Sequence, residues 1–228
     1  MSQTSPSAGR TNGHGSAARD EPRGNRARSA EPAAAVRDEP TGLKRGDFAA
    51  DLDAIRKRAR ENMMDGAVTR SYALDREQAV KVLNGALATE LVCTLRYKRH
   101  AFMAKGPMSE SIAAEFAEHA TQESAHADMI AARIVQLDGA PDFNPQGLAE
   151  RAHADYIEGA TLREMVEENL VAERIAIDTY REMILWFGDA DTTTKRMLES
   201  ILAEEEEHAD DMADLLERGQ WHTEAPAS

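Results

Sequence analysis

Glu205-Glu206-Glu207-His208-Ala209-Asp210 repeats the pattern of Glu123-Ser124-Ala125-His126-Ala127-Asp128, which lies eighty-two positions earlier. Both stretches read E-x-x-H-A-D. Residues three apart lie on the same face of a helix, so each copy directs a carboxylate and an imidazole the same way. Upstream, Glu90 precedes Glu123 by 33 residues and Glu173 precedes Glu205 by 32. The chain therefore contains a doubled unit, and each half carries half of a metal site.

Composition separates a tail from a foldable body. Residues 1–46 are rich in Ala, Arg, Pro, Ser and Gly and contain almost no large apolar residue. Such a segment cannot bury enough surface to offset its ordering entropy, so we predict a disordered tail. Cys93 is the only cysteine, which excludes a disulfide framework and a Cys-rich metal site, and its helical context predicts a small buried residue. No signal-peptide pattern or membrane-length apolar run is present, so we expect a cytoplasmic protein without a membrane partner.

The net charge of -14 is unevenly distributed along the chain. Residues 1–60 carry 12 Lys and Arg against 8 Asp and Glu, whereas the remainder carries 15 against 33. The acidic body argues against a nucleic-acid surface on the fold itself. The mildly basic tail leaves nucleic-acid binding open.

Apolar residues at helical spacing predict an all-α protein. Residues 47–62 form a short amphipathic helix expected to lie on the main body, within a linker segment 47–70. Four long helices follow in residues 71–219: the first three lie at about 75–104, 109–137 and 161–188, and the fourth follows a short turn and ends before Gly219. Residues 220–228 are a polar C-terminal tail. The core stripes include Phe102 in the first long helix and Leu185 in the third.

The connections between these helices specify their arrangement. Capping boxes at Asp75 and Thr161 start the first and third long helices, and Ser109 is expected to cap the second. The turns within each helix pair are short, whereas residues 139–160 form a connection long enough to run the length of a bundle. Two antiparallel hairpins joined by a long crossover describe a ferritin-like four-helix bundle.

The motif residues interrupt the apolar stripes, so their side chains point inward. A buried carboxylate must be protonated, paired or bound to metal, and no Lys or Arg occupies the inward positions beside these glutamates. Taken singly, a run of glutamates is usually the solvated face of a helix. A lone histidine is usually at the surface or hydrogen-bonded within the core. Taken together, the repeat predicts two divalent ions, with iron or manganese preferred over zinc or copper, held by six ligands. These are Glu90, Glu123, His126, Glu173, Glu205 and His208.

With these motifs in place, the chain from about Asp75 to Glu217 resembles bacterioferritin. The resemblance rests on Glu90-Leu91-Val92, on the two E-x-x-H-A-D stretches, on Glu173, and on the run Ile134-Val135-Gln136-Leu137-Asp138-Gly139-Ala140-Pro141. It implies that Glu90 and His126 hold one metal, that Glu173 and His208 hold the other, and that Glu123 and Glu205 bridge them. Tyr97 matches a tyrosine that bacterioferritins keep beside the metals as an electron donor. On spacing alone, an ordinary core tyrosine fits equally well.

Two departures from that family alter what the resemblance implies. Ser124 occupies the position of the methionine that ligates haem in bacterioferritins, so we expect no haem. The short C-terminal helix that lines the fourfold channels of the 24-subunit shell has no counterpart. A homo-oligomeric cage of twelve subunits, as in the Dps proteins, is therefore favoured over one of twenty-four.

The resemblance implies a ferroxidase and iron-storage or detoxification protein. It would bind two iron ions per subunit, with manganese as the other metal considered, and oxidise Fe(II) with O₂ or peroxide. Two alternatives stay open. One is a di-iron or di-manganese oxidoreductase that acts on a small substrate. The other is a Dps-like protective cage whose tail binds DNA or docks the protein into a larger assembly.

Overall fold

The computed structural model describes residues 50–61, 63–64, 66–106, 108–219 and 221. Within these residues there are helices and no strand, as predicted, and no helix is long and apolar enough to cross a membrane. The predicted tail at 1–46 lies outside the described residues, as does the C-terminal tail apart from Trp221, so the boundaries proposed for both stay predictions. The helices are α1 (Leu52–Glu61), α2 (Arg76–Met103), α3 (Ser109–Gln136), α4 (Leu148–Arg151), α5 (Leu162–Phe187) and α6 (Thr192–Arg218).

The four long helices form two hairpins. Helix α2 packs mainly on α3, and α5 packs mainly on α6, to which it is joined by the 3₁₀ turn Gly188–Ala190. The connection from α3 to α5 contains only the short α4 and contacts α2. Each long helix has 26 to 28 residues, so it spans roughly 40 Å at about 1.5 Å per residue. The predicted ferritin-like four-helix bundle with a long crossover is confirmed.

Helix caps follow the sequence at two of three predicted positions. The carboxylate of Asp75 accepts from the backbone N–H of Gln78 at 2.9 Å, and Thr161 forms a complete capping box with Glu164. The prediction that Ser109 caps α3 is wrong. Met108 precedes the helix in a left-handed conformation with φ 64° and makes no side-chain cap. The chain enters α3 directly from that residue, so Ser109 already lies in the first helical turn.

Two apolar clusters fill the bundle, one on either side of the motif residues. The first includes Leu83, Leu87, Ile130, Ile134, Leu198 and Ile201. The second includes Tyr97, Ile112, Phe116, Val166, Leu170 and Met212. Cys93 is buried, as predicted. Apolar side chains therefore pack on both sides of the carboxylate-rich middle of the bundle.

Two residues assigned to the core stripes lie at the surface. Phe102 is 88% exposed and Leu185 is 75% exposed. Each directly follows a stripe residue, Ala101 or Ile184, that packs against a core cluster. One residue along a helix is a rotation of about 100°, which turns these two side chains away from the bundle axis.

The short first helix is present, but its predicted packing is wrong. Helix α1 contains no buried residue, and Leu52 and Ile55 are both about half exposed. Its ten residues include two leucine-sized apolar side chains among several charges, which is too little apolar area to hold a helix on the bundle.

A buried ion pair ties the end of α3 to the start of α6. Arg133 donates to both carboxylate oxygens of Asp191 at 2.9 Å, and its Nε donates to Thr194 at 2.7 Å. Asp191 also caps α6 through the N–H of Thr194 and accepts from the Tyr72 hydroxyl at 2.8 Å. These contacts fix the register between the two hairpins.

Candidate metal centre

The four long helices bring all six predicted ligand residues together. Helix α2 contributes Glu90 and α5 contributes Glu173, while α3 and α6 each contribute one glutamate and one histidine. All six side chains are at most 3% exposed. Their donor atoms form two groups, each with all atoms within 4.8 Å of one another. The first is Glu90, Glu123, His126 and Glu205, and the second is Glu123, Glu173, Glu205 and His208.

Glu123 and Glu205 belong to both groups, so the groups share an edge. The Nδ1 atom of His126 lies 3.0 Å from Glu205 Oε1 and 3.4 Å from Glu90 Oε2. The Nδ1 atom of His208 lies 3.3 Å from Glu123 Oε1 and 3.7 Å from Glu205 Oε2. Both imidazoles therefore turn the same nitrogen toward the carboxylates.

The donor atoms that face the centre lack hydrogen-bond partners among the described residues. They are Glu90 Oε2, Glu123 Oε1, Glu173 Oε2, both carboxylate oxygens of Glu205, and the Nδ1 atoms of His126 and His208. A buried polar atom without a partner costs about 1 to 3 kcal/mol, more for a charged group. Seven such atoms in one place fit a site for cations, since a metal ion satisfies several carboxylate and imidazole donors at once.

Protons balance the charge when no cation is bound. Burial, together with the charges of neighbouring glutamates, raises the pKa of Glu90 and of Glu173 well above the ordinary value. Burial lowers the pKa of His208, but its contacts with Glu123 and Glu205 outweigh this and raise that pKa to about 9. Cation binding here must therefore displace protons.

Two residues outside the predicted set orient the imidazoles. The Nε2 of His208 donates to Gln122 Oε1 at 3.0 Å, and the Nε2 of His126 donates to Glu204 Oε2 at 3.1 Å. Such contacts fix the tautomer, so that Nδ1 is free to bind a cation. Gln122 directly precedes Glu123, and Glu204 directly precedes Glu205, yet each contacts the histidine of the other motif.

Two tyrosines complete the internal symmetry of the site. The Tyr97 hydroxyl donates to Glu173 Oε1 at 2.5 Å, and the Tyr180 hydroxyl donates to Glu90 Oε1. Tyr97 lies seven residues after Glu90, and Tyr180 lies seven residues after Glu173. Tyr97 is a predicted site residue, whereas Tyr180 is not among the site residues singled out from the sequence. The spacing of seven residues after a ligand glutamate, which the two tyrosines share, is the feature of the sequence that indicates Tyr180.

The expectation that no arginine lies inward near the glutamates is wrong. Arg96 is fully buried on α2. Its guanidinium, however, donates to Asn169 Oδ1 at 2.9 Å and to the backbone oxygen of Asp155 in the crossover at 3.1 Å. It therefore anchors the crossover and forms no ion pair with the six clustered residues.

Comparison with known proteins identifies the family to which this chain is similar. A family model described as a ferritin-like domain matches residues 80–220. Bacterioferritin BfrA of Mycobacterium tuberculosis is 32% identical over 139 residues, which cover 60% of this chain and 83% of that protein.

Solved structures agree with that match. A dodecameric thioferritin, the bacterioferritin-related protein of Bacteroides fragilis, superposes with a TM-score of 0.61 at 35% identity, covering 63% of this chain and 87% of that one. Dps from Thermosynechococcus elongatus, at 23% identity and a TM-score of 0.60, shares the fold and covers 65% of this chain and 96% of its own. Since the family model spans well over half of the sequence, the chain belongs to the ferritin-like family.

Proposed function

We propose that the protein is a ferroxidase that oxidises Fe(II) at a dinuclear centre and serves iron storage or detoxification. Glu90 and His126 would hold one Fe(II), and Glu173 and His208 the other. Glu123 and Glu205 would bridge them. The observation that carries the proposal is the pair of overlapping donor groups that share these two glutamates. A bridging carboxylate needs to reach both ions, and only these two residues belong to both groups.

The chemistry follows from holding two Fe(II) ions side by side as substrate. Each gives up one electron, so the pair delivers two electrons together. O₂ takes both with two protons and becomes hydrogen peroxide, or peroxide takes both with two protons and becomes two waters. A paired transfer avoids release of a one-electron oxygen radical. The residues of this chain would set the distance between the two Fe(II) ions, balance their charge with carboxylates and surround them with apolar side chains.

Tyr97 is proposed as an additional electron donor. Its hydroxyl hydrogen bonds to Glu173 at 2.5 Å, so the ring can give O₂ or peroxide one electron in place of one Fe(II), while the phenolic proton passes to that carboxylate. Both apolar clusters keep bulk water away from this contact.

Anaerobic loading followed by O₂ tests the proposal. We expect a fast phase that oxidises two Fe(II) per chain, seen as a ferric absorbance rise with matching O₂ uptake. Glu123→Ala removes a bridging carboxylate and should abolish this phase. Glu110→Ala, at an exposed site on the same helix, is the control and should retain it. If the Glu123 variant oxidises iron at the wild-type rate, the assignment is wrong.

We further propose a homo-oligomeric cage of twelve subunits. The proposal rests on the Bacteroides fragilis relative, which is a dodecamer and is 35% identical to this chain. Light scattering should give twelve chains for the full-length protein and for a protein that lacks residues 1–46. A species no larger than a dimer would contradict the cage.

Haem is not expected. Ser124 is exposed and offers no ligand for haem iron. Protein produced with ample haem should show no Soret band at stoichiometric intensity. A strong band would overturn this expectation.

The oxidoreductase alternative shares the same residues, because their donor set suits manganese as well as iron. Metal analysis of the purified protein distinguishes the ferroxidase from the oxidoreductase, because two bound manganese ions that resist exchange would favour the oxidoreductase. The DNA-binding or docking alternative depends on residues 1–46, outside the described part of the chain. A truncated protein that oxidises iron but no longer shifts DNA would support it.

A further inference from the structure

A second group of donor residues lies beside the candidate dinuclear centre. It consists of Glu115 and His119 on α3 and Asp211 on α6, and their donor atoms also lie within 4.8 Å of one another. His119 is only 2% exposed. Its Nε2 faces Glu115 Oε1 at 3.4 Å and Asp211 Oε2 at 3.5 Å. Both distances exceed the usual hydrogen-bond range of about 2.7 to 3.2 Å, which leaves room for an ion between the groups.

His119 joins this group to the dinuclear centre. Its ring stacks on that of His208 with centroids 4.1 Å apart, and its Nδ1 lies 3.2 Å from the Tyr97 hydroxyl. The opposite side of the group opens to solvent, because the side chains of Glu115 and Asp211 are 36% and 53% exposed. The three residues therefore lie between solvent and the buried carboxylates.

The internal repeat shows that the fold does not require polar residues here. The offset of eighty-two positions that pairs Glu123 with Glu205 also pairs His119 with Ile201, a fully buried residue of the first apolar cluster. By the same offset, Glu115 corresponds to Met197 and Asp211 to Met129. The two halves match at the proposed ligands, at the residues that orient the imidazoles and at the tyrosines. The repeat-related position is therefore apolar, formed by Met197 and Ile201 on α6 and Met129 on α3, whereas this position carries an imidazole and two carboxylates.

We propose that Glu115, His119 and Asp211 form a third divalent-cation site in each chain, which captures Fe(II) from solvent. Imidazole and carboxylate together suit first-row divalent ions. Three protein donors leave coordination positions for water, which favours exchange over permanent retention. The two partly exposed carboxylates also attract cations to this opening. The proposal that this site binds a cation does not depend on the proposed function. Only its role in supplying iron to the dinuclear centre rests on that function.

The test is a titration of the full-length protein with Co²⁺, which is stable in air and reports its ligands by absorption, with bound ions counted by equilibrium dialysis. We expect three Co²⁺ per chain in the wild type and two in the double variant Glu115→Gln/Asp211→Asn. Both substitutions keep side-chain size at accessible positions. Glu110→Gln/Asp210→Asn is the matched control, because it removes the same two charges from exposed positions on the same two helices, outside the group. It should bind three.

The outcomes separate this site from the dinuclear centre. Two Co²⁺ in both the wild type and the double variant would overturn the third site, as would three in both. One Co²⁺ in the wild type and none in the double variant would support the capture site and contradict the proposed dinuclear function.

Discussion

Substitution of Gln122 by leucine tests whether the imidazoles bind cations through Nδ1. The side-chain oxygen of Gln122 accepts from His208 Nε2 at 3.0 Å, and leucine removes this acceptor while roughly keeping the volume. The His208 ring then loses the contact that fixes its tautomer. We expect weaker binding of the ion assigned to Glu173 and His208, with little change for the ion assigned to Glu90 and His126.

The expected size follows from similar contacts in other metal sites. Loss of such an orienting hydrogen bond typically weakens metal affinity about 10- to 100-fold, or about 1.4 to 2.7 kcal/mol. Glu204→Leu should produce the reciprocal effect on the ion beside His126. A carboxylate acceptor is usually stronger than an amide, but the Glu204 side chain is 42% exposed and partly screened by water. The two losses should therefore be comparable.

Anaerobic calorimetric titration with Fe(II), performed in the Glu115→Gln/Asp211→Asn background so that the third site does not contribute, resolves the two binding steps of the dinuclear centre. Gln122→Leu should weaken one step and Glu204→Leu the other, whereas Gln78→Leu, at an exposed site on α2, should change neither. If either orienting variant leaves both dissociation constants within about twofold of the wild type, the Nδ1 assignment is refuted. Equal weakening of both steps would refute the division of ligands between the two ions.

Three further predictions concern stability. Arg133→Met leaves the buried Asp191 carboxylate unpaired and should lower the free energy of unfolding by about 3 to 5 kcal/mol, read from the urea midpoint. Burial raises the pKa of Asp191, but hydrogen bonds from Thr194 and Arg133 outweigh this and hold it below its ordinary value. The ionised Asp191 carboxylate therefore contributes fully to the free energy of unfolding above its unfolded-state pKa, and this contribution is lost as pH falls toward its folded-state pKa. In acid, the wild type and Arg133→Met should therefore become similar in stability. Gly139→Ala should cost about 1 to 3 kcal/mol by thermal unfolding, because a Cβ there would lie 2.5 Å from Val80 Cγ2; an unchanged melting temperature would contradict the packing.

The bundle and the clustering of the six acidic and imidazole residues could be predicted because both depend on helical periodicity. Glu90 and Glu173 interrupt apolar stripes, and each Glu-x-x-His pair shares a helix face, so the direction of these side chains follows from spacing alone. Once the four helices pack, inward-facing carboxylates at the same level of the bundle meet. Tyr180 was accessible by the same reasoning as Tyr97, since both follow a glutamate by seven residues.

Other features depend on contacts between distant segments. Gln122 approaches His208 only when α3 packs beside α6, and Arg96 finds its acceptors in a crossover whose path no periodicity specifies. Phe102 and Leu185 fit an apolar stripe, but a stripe does not distinguish a core side chain from one that lies at the surface. Ser109 is a common capping residue, yet the left-handed Met108 places it one position inside the helix.

Anomalous diffraction at the iron edge, from crystals loaded anaerobically with Fe(II), locates the ions without reference to activity. We predict two peaks roughly 3.5 to 4 Å apart in mid-bundle, as in other two-metal sites. One should lie nearest Glu90 and His126, the other nearest Glu173 and His208, with Glu123 and Glu205 in contact with both. A single peak among these residues, or peaks only outside the bundle, would contradict the dinuclear centre.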